Sequence, residues 1–173
     1  GSEQIVKGYS FVSVSNGDYP ATAVEFVGSA DYQVAKGTDA GTYEMNLKPE
    51  DFKNTSKNFS KVTFVVEDGA LTITPKSIVP DPENPKNTMS VDSPADVVYN
   101  GQDQTWTPVV KDGERTLEPG KDYTIEYSAA DRTNVTGTIT VTIKGINNYS
   151  DSVTRTYEIT KRPVTLTSEG GSK

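Results

Sequence analysis

Carboxylates are the only acid–base groups with which this chain could run a reaction. It carries 24 Asp and Glu but no His and no Cys, which excludes Ser–His and Cys–His nucleophile pairs, thiolate chemistry and the usual zinc ligands. Candidate pairs lie at Asp18, Asp31, Glu67 and Asp68 in one half, and at Asp112, Glu114, Glu118 and Asp122 in the other. A glycosidase would need two of them across a deep cleft, roughly 5 to 10 Å apart. These acids sit instead in turn contexts such as "EDG", "KDGE" and "EPGKD", where Asp and Gly are expected for backbone reasons. The sequence therefore predicts no enzyme and assigns no catalytic residue.

Binding is the other chemistry on offer, because aromatic faces stack on the apolar faces of sugars. Tyr99, Trp106 and Tyr149 are the candidate ligand-binding residues. Tyr123 and Tyr127 share a strand face with Ile125 and read as core, which Trp106 could equally cover. Tyr149 follows Asn147-Asn148 in a turn and is expected to be exposed. "DPENPKN" and "YNGQD" offer oxygen atoms to Ca²⁺ without the spacing of an EF-hand loop, so no metal and no cofactor is assigned. The N-x-S/T triplets at Asn54, Asn58, Asn134 and Asn148 are expected by chance in a chain this rich in Ser and Thr. Lys144 with Asn148 is a candidate for a Lys–Asn isopeptide bond, which requires a buried lysine.

The elements that must position these residues are strands. "DYTIEYS", "TGTITVTIKG" and "SVTRTYEIT" alternate apolar and polar residues with period two, the pattern of antiparallel sheets with one packed and one wet face. "GTYEMNLK" and "KVTFVVE" repeat the style, and Asp68-Gly69 is expected to fold "KVTFVVE" back on "ALTITPK" as a hairpin. Residues 49–59 could form a short helical turn, with Pro and acids at its start. Asn-Gly between β-formers is the strongest short-range hairpin signal, so Asn16, Gly17, Asn100 and Gly101 are read as structural turn residues.

Composition sets the outer bounds. A net charge of −7 repels polyanions, so nucleic acid is an unlikely partner. No run approaches the ~20 apolar residues that span a bilayer, so no membrane insertion is expected within this fragment. Gly1-Ser2 reads as a cloning remnant, and both ends as cut from a longer chain. Four prolines between Lys76 and Ala95 suggest a semi-rigid linker or edge segment. The expected organisation is a first β module over 3–76, this Pro-rich segment over 77–95, and a second β module over 96–168.

The two modules match each other in order. "SNGDYPATAVEF" from Ser15 resembles "YNGQDQTWTPVV" from Tyr99; "ADYQV" pairs with "KDYTI"; "AGTYEMNL" with "TGTITVTI"; "KNFSKVT" with "NNYSDSV"; and "LTITPK" with "YEITKR". The tail "KRPVTLTSE" then reads as the first strand of a third copy or as a final strand. The Y-N-G turn, the K-D-Y-T strand, the T-G-T-x-T strand, the G-x-x-N-Y segment and the closing I-T-K together resemble the MBG/YDG-type repeat of Gram-positive surface proteins. The resemblance covers about residues 97–167 closely and 9–76 more loosely, with Ser15 where the family's tyrosine would stand. It implies an all-β chain of two small antiparallel modules in tandem, β-grasp-like or sandwich-like. It also implies an extracellular, wall-attached location and a role as adhesin stalk or spacer. The partners it implies are neighbouring repeat modules in a longer chain and, for a binding module, host glycan or mucin.

Overall fold

In the computed structural model, which describes residues 1–15 and 17–171, the chain is all-β, and its only helical pieces are short 3₁₀ turns. It divides into two compact units, Gly1–Pro75 and Lys76–Lys173. The predicted Asn16-Gly17 turn is half accounted for: Gly17 lies in a turn, while Asn16 lies outside the described residues.

The first unit contains β1 (Gln4–Lys7), β2 (Val24–Phe26), β3 (Val34–Gly37), β4 (Gly41–Glu44), β5 (Phe52–Asn54) and β6 (Ala70–Ile73). They pair antiparallel as β1 with β3, β2 with β5 and β4 with β6. Ala35, Met45 and Leu47 form its buried centre, flanked by Phe26, Tyr43, Phe52, Val66 and Leu71. Residues 62, 64 and 66 alternate half-buried with exposed neighbours as the sequence suggests, yet they form no strand. The expected hairpin with "ALTITPK" is absent because the corner is pulled elsewhere. The Asp68 carboxylate accepts from the backbone N–H groups of Asn46 and Leu47, each at 2.8 Å, and Met45 N–H donates to Gly69 O. Those bonds dock Asp68-Gly69 at the end of β4, so β6 zips against β4. The helical turn expected over 49–59 is a single 3₁₀ turn, Pro49–Asp51, held by Asp51 accepting from Lys48 N–H, and the chain then enters β5.

The second unit contains β7 (Lys76–Ser77), β8 (Met89–Val91), β9 (Val97–Val98), β10 (Val110–Asp112), β11 (Arg115–Thr116), β12 (Tyr123–Tyr127), β13 (Thr138–Gly145), β14 (Tyr149–Ser150) and β15 (Ser152–Thr160). One sheet runs β12-β13-β15-β9, a second β11-β10-β8, and β7 pairs with β14. Among the described strands of this unit, β9 with β15 and β7 with β14 pair in parallel and the other pairs are antiparallel. Ile78, Met89, Val110, Leu117, Tyr123 and Ile143 come from both sheets and from the β7 strap to fill one core. The alternation read from sequence is realised: Ile139, Val141 and Ile143 are fully buried, as are Tyr157 and Ile159 on β15.

The 77–95 segment holds the edge strand β8 and contributes Ile78, Met89 and Val91 to the core. Its prolines alternate with Asx turns, in which Asp81, Asn84 and Asn87 side chains accept from the N–H groups of Glu83, Lys86 and Met89. Asn87 Nδ2 also donates to Val79 O and closes the loop. Proline removes backbone donors, and the Asx side chains supply local partners in their place, so the loop is compact rather than extended.

The internal repeat is visible in strand register. In the first unit Tyr43 opposes Leu71 and Thr42 opposes Thr72. In the second, Ile139 opposes Tyr157 and Thr138 opposes Glu158. The matched sequences place these pairs at the same positions of "AGTYEMNL"/"TGTITVTI" and "LTITPK"/"YEITKR". Both copies also begin the first of these strands beside a glycine with positive φ, Gly41 and Gly137.

Gly145 marks a close approach at the end of β13, where an added Cβ would lie 2.7 Å from both Ser150 N and Ser150 O. Gly145→Ala is expected to destabilise the second unit by about 1–3 kcal/mol, since a backbone contact cannot yield as a side chain does. A thermal melt followed by near-UV circular dichroism would show the loss.

Candidate ligand-binding surface

The three aromatic candidates do not form one face. Tyr149 is only 6% exposed, which corrects the expectation that it lies on the surface. Its turn folds inward because β14 pairs with β7, and the ring joins the core while its hydroxyl donates to Asp112 Oδ2 at 3.3 Å. Trp106 is half-buried and packs against both core clusters of the second unit, so it covers the core. Its outer edge borders a shallow hollow with Val97, Asn100, Gln104 and Tyr157. Tyr99 alone is open to solvent. It lines a second shallow hollow with Val135, Lys161, Arg162, Pro163 and Val164.

Asn100 and Gly101 make a bend, not the expected hairpin. A type I′ turn needs positive φ at both central residues, and here Gly101 has it (80°) while Asn100 does not. Asn100 Oδ1 instead accepts from Gln102 N–H at 2.8 Å. The strand entering the bend, β9, pairs in parallel with β15, which leaves the chain after it free to cross the sheet.

That crossing is the feature sequence reasoning missed. Residues 104–108 belong to no strand, so their carbonyls need partners from elsewhere. Three tyrosine hydroxyls supply them: Tyr157 donates to Gln104 O at 3.1 Å, Tyr127 to Trp106 O at 2.8 Å, and Tyr123 to Pro108 O at 3.2 Å. Every second carbonyl is thus held by a ring standing on the main sheet. Arg132 fastens the outer side, with Nε donating to Thr105 Oγ1 at 2.6 Å and its guanidinium 4.6 Å from the centre of the Tyr127 ring. The signal was present as Tyr at alternate positions on β12, but nothing local says that their hydroxyls reach another segment.

Of the candidate carboxylates, Asp122 is buried and Asp112 half-buried, while Asp18, Asp31, Glu67, Asp68, Glu114 and Glu118 are exposed. Asp122 is buried and takes Arg115 Nη2 on both oxygens, at 3.1 and 3.0 Å, together with Glu118 N–H. Asp112 takes Lys76 Nζ at 2.6 Å, the Thr88 hydroxyl and the Tyr149 hydroxyl. Burial acts to raise the Asp112 pKa, and the bonds from Lys76, Thr88 and Tyr149 outweigh it and hold the group below its ordinary 3.8. Glu118 pairs with Lys121 at the surface, a contact of small energetic weight. Among the described residues no group of three or more Asp or Glu is placed to hold a metal ion. Lys144 faces solvent, so the buried lysine that an isopeptide bond requires is not there.

Compared with known proteins, the chain matches no family model, no curated protein and no solved structure.

Tyr127→Phe and Tyr123→Phe are each expected to cost about 1–3 kcal/mol, because a carbonyl loses its hydroxyl donor, whereas Tyr99→Phe should stay within about 0.5 kcal/mol. Urea titration of the three variants measures the difference. Burial is the main cause that pushes the hydroxyls of Tyr123, Tyr127 and Tyr149 above their ordinary 10.0; Asp92 adds to it at Tyr123 and Asp112 at Tyr149, while Arg132 opposes it at Tyr127. Unfolded tyrosines ionise near 10.0, so this stability is complete below that pH and is lost as pH rises through the folded values. Asp112 has the opposite sign: its contribution is present above 3.8 and falls away as pH drops through its lowered value. A pH series of melting temperatures should therefore fall at both ends, and Lys76→Met should flatten the acid limb alone.

Proposed function

We propose that this chain is a non-catalytic, extracellular repeat segment of a bacterial surface protein, acting as stalk or spacer and in adhesion. The observation that carries this reading is the shared register of β4 with β6 and of β13 with β15 in two successive units, since tandem repetition is what a spacer needs. The resemblance to MBG/YDG repeats supports the surface location. Mechanically, each unit resists tension through antiparallel ladders, and the acidic exterior keeps neighbouring copies from aggregating. Disulfides, the usual reinforcement of small extracellular domains, are replaced here by side-chain bonds to backbone.

A second reading, a glycan- or mucin-binding module, is favoured by one observation. Tyr99 offers an exposed ring beside Lys161 and Arg162 in an open hollow, an arrangement suited to an acidic sugar.

Pulling the chain by its ends in an atomic-force experiment should give two separate unfolding steps, lengthening by about 250 Å and about 330 Å for units of these sizes. One merged step would argue against independent spacer units. A glycan array separates the second reading: binding to acidic mucin glycans that vanishes in Tyr99→Ala would replace the passive stalk, and no binding leaves it in place.

A further inference from the structure

Tension carried along the chain enters the second unit at Lys76. Lys76 and Ser77 form β7, which runs parallel to β14. Lys76 N–H donates to Asn148 O at 2.9 Å and Ile78 N–H to Ser150 O at 3.0 Å. Side chains add to these bonds on both sides of Ser77. Lys76 Nζ reaches Asp112 Oδ1 at 2.6 Å and Thr88 Oγ1 at 3.0 Å, and Ile78 is wholly buried in the core cluster of the unit.

β14 is joined to β15 by Asp151 alone, and the chain does not turn back there. Gly145 N–H donates to Asp151 O at 2.9 Å and Ser152 opposes Lys144, so residues 149–160 follow β13 to its far end. β15 is the last strand among the described residues, and the chain leaves the sheet after Thr160. A load entering at Lys76 and leaving after Thr160 therefore crosses one non-covalent junction, β7 on β14, and then runs on through covalent bonds. It draws β7 toward its N-terminal end and β14 toward its C-terminal end. In a parallel pair these pulls oppose each other along one axis, so the bonds of the junction are strained together. An antiparallel pair pulled apart at its open end instead parts one residue pair after another.

We propose that the β7–β14 pair is a shear clamp: it sets how long the second unit survives tension, and the unit unfolds under load by losing this strap first. The antiparallel ladders of that unit take the load only once the strap has gone, because until then the force passes beside them along β14 and β15. The clamp deepens the stalk reading, yet it rests on strand register and not on cellular location.

Pulling the full chain at constant force tests the clamp, and the absence of native cysteine allows handles at chosen sites. With the chain held by its ends, Ile78→Val should shorten the lifetime of the second unit, read from the longer of the two steps, by about three- to tenfold, since the Ile78 contacts are broken as the barrier is crossed. Ile139→Val makes the same change at a wholly buried isoleucine of β13, whose contacts are intact at that point. It should leave the lifetime under load unchanged, although both variants lower stability in urea. Handles at Thr136→Cys, an exposed position, and at the C-terminal end open β13 from β15 at Thr138 and Glu158. That pull should unfold the unit at least about tenfold faster at the same force, because bonds break singly. An Ile78→Val lifetime equal to the parent's, an equal effect of Ile139→Val, or a Thr136 pull that lasts as long as the end pull would each overturn the clamp. One merged step in place of two would count against independent spacer units instead, and the isoleucine comparison would still read the clamp.

Discussion

A segment that crosses a sheet without joining it must still satisfy its carbonyls, and the second unit is organised around that requirement. Residues 104–108 run over the inner side of the main sheet with no strand partner, and the hydroxyls of Tyr157, Tyr127 and Tyr123 take up Gln104 O, Trp106 O and Pro108 O in turn. A tyrosine can do this where a phenylalanine cannot, since its ring fills core volume while its tip carries a donor. The arrangement fixes the height of the crossing segment above β12 and β15. It thereby fixes where Trp106 packs and where β10 begins. It also explains why β9 pairs with β15 in parallel: the chain leaves β9 by a bend, not a hairpin, and is caught by the hydroxyls as it crosses.

This commitment of aromatic residues to the interior shapes what the unit can do. Of the candidate aromatics, Tyr149 and Trp106 are held by core packing, and Tyr149 also by its bond to Asp112. Two of the unit's acidic groups behave alike: Asp112 and Asp122 are spent on Lys76 and Arg115. What remains facing solvent is Tyr99 with two cations beside it, a surface feature of modest depth.

Period-two alternation made β12, β13 and β15 legible, because burial of one face is written into each strand by itself. The repeat was legible for the same reason, and its register followed from the matched positions. Pairing partners were not. "ALTITPK" carries no mark that Asp68 will anchor it to β4, since that depends on N–H groups more than twenty residues away. The Asn-Gly signal was read as a hairpin because local propensity favours one, and the tertiary pull of β15 on β9 prevailed. Proline density left linker and edge segment open: in 77–95 the Asx side chains between the prolines supply the partners that keep the segment folded, and Ile78 and Met89 anchor it in the core.

The two units contrast in what they bury. Both contain the register-matched pair that defines the repeat, yet the second buries Tyr123, Tyr149 and Tyr157 and several branched aliphatics while the first centres on Ala35, Met45 and Leu47. The matched strands themselves differ in burial: β13 and β15 bury Ile139, Val141, Ile143, Tyr157 and Ile159, whereas Tyr43 of β4 and Leu71 of β6 are half-buried. The β14 position differs as well, one unit having a partner strand followed by a buried isoleucine and the other Phe59 against Tyr19 at 5.2 Å between ring centres. The second unit thus takes a strap, β7 with Ile78, from the chain that directly follows the closing strand of the first. Modules built so cannot be exchanged at arbitrary boundaries: a cut between Pro75 and Lys76 keeps the strap with the core it completes, whereas a cut after Ile78 would leave it with the wrong unit.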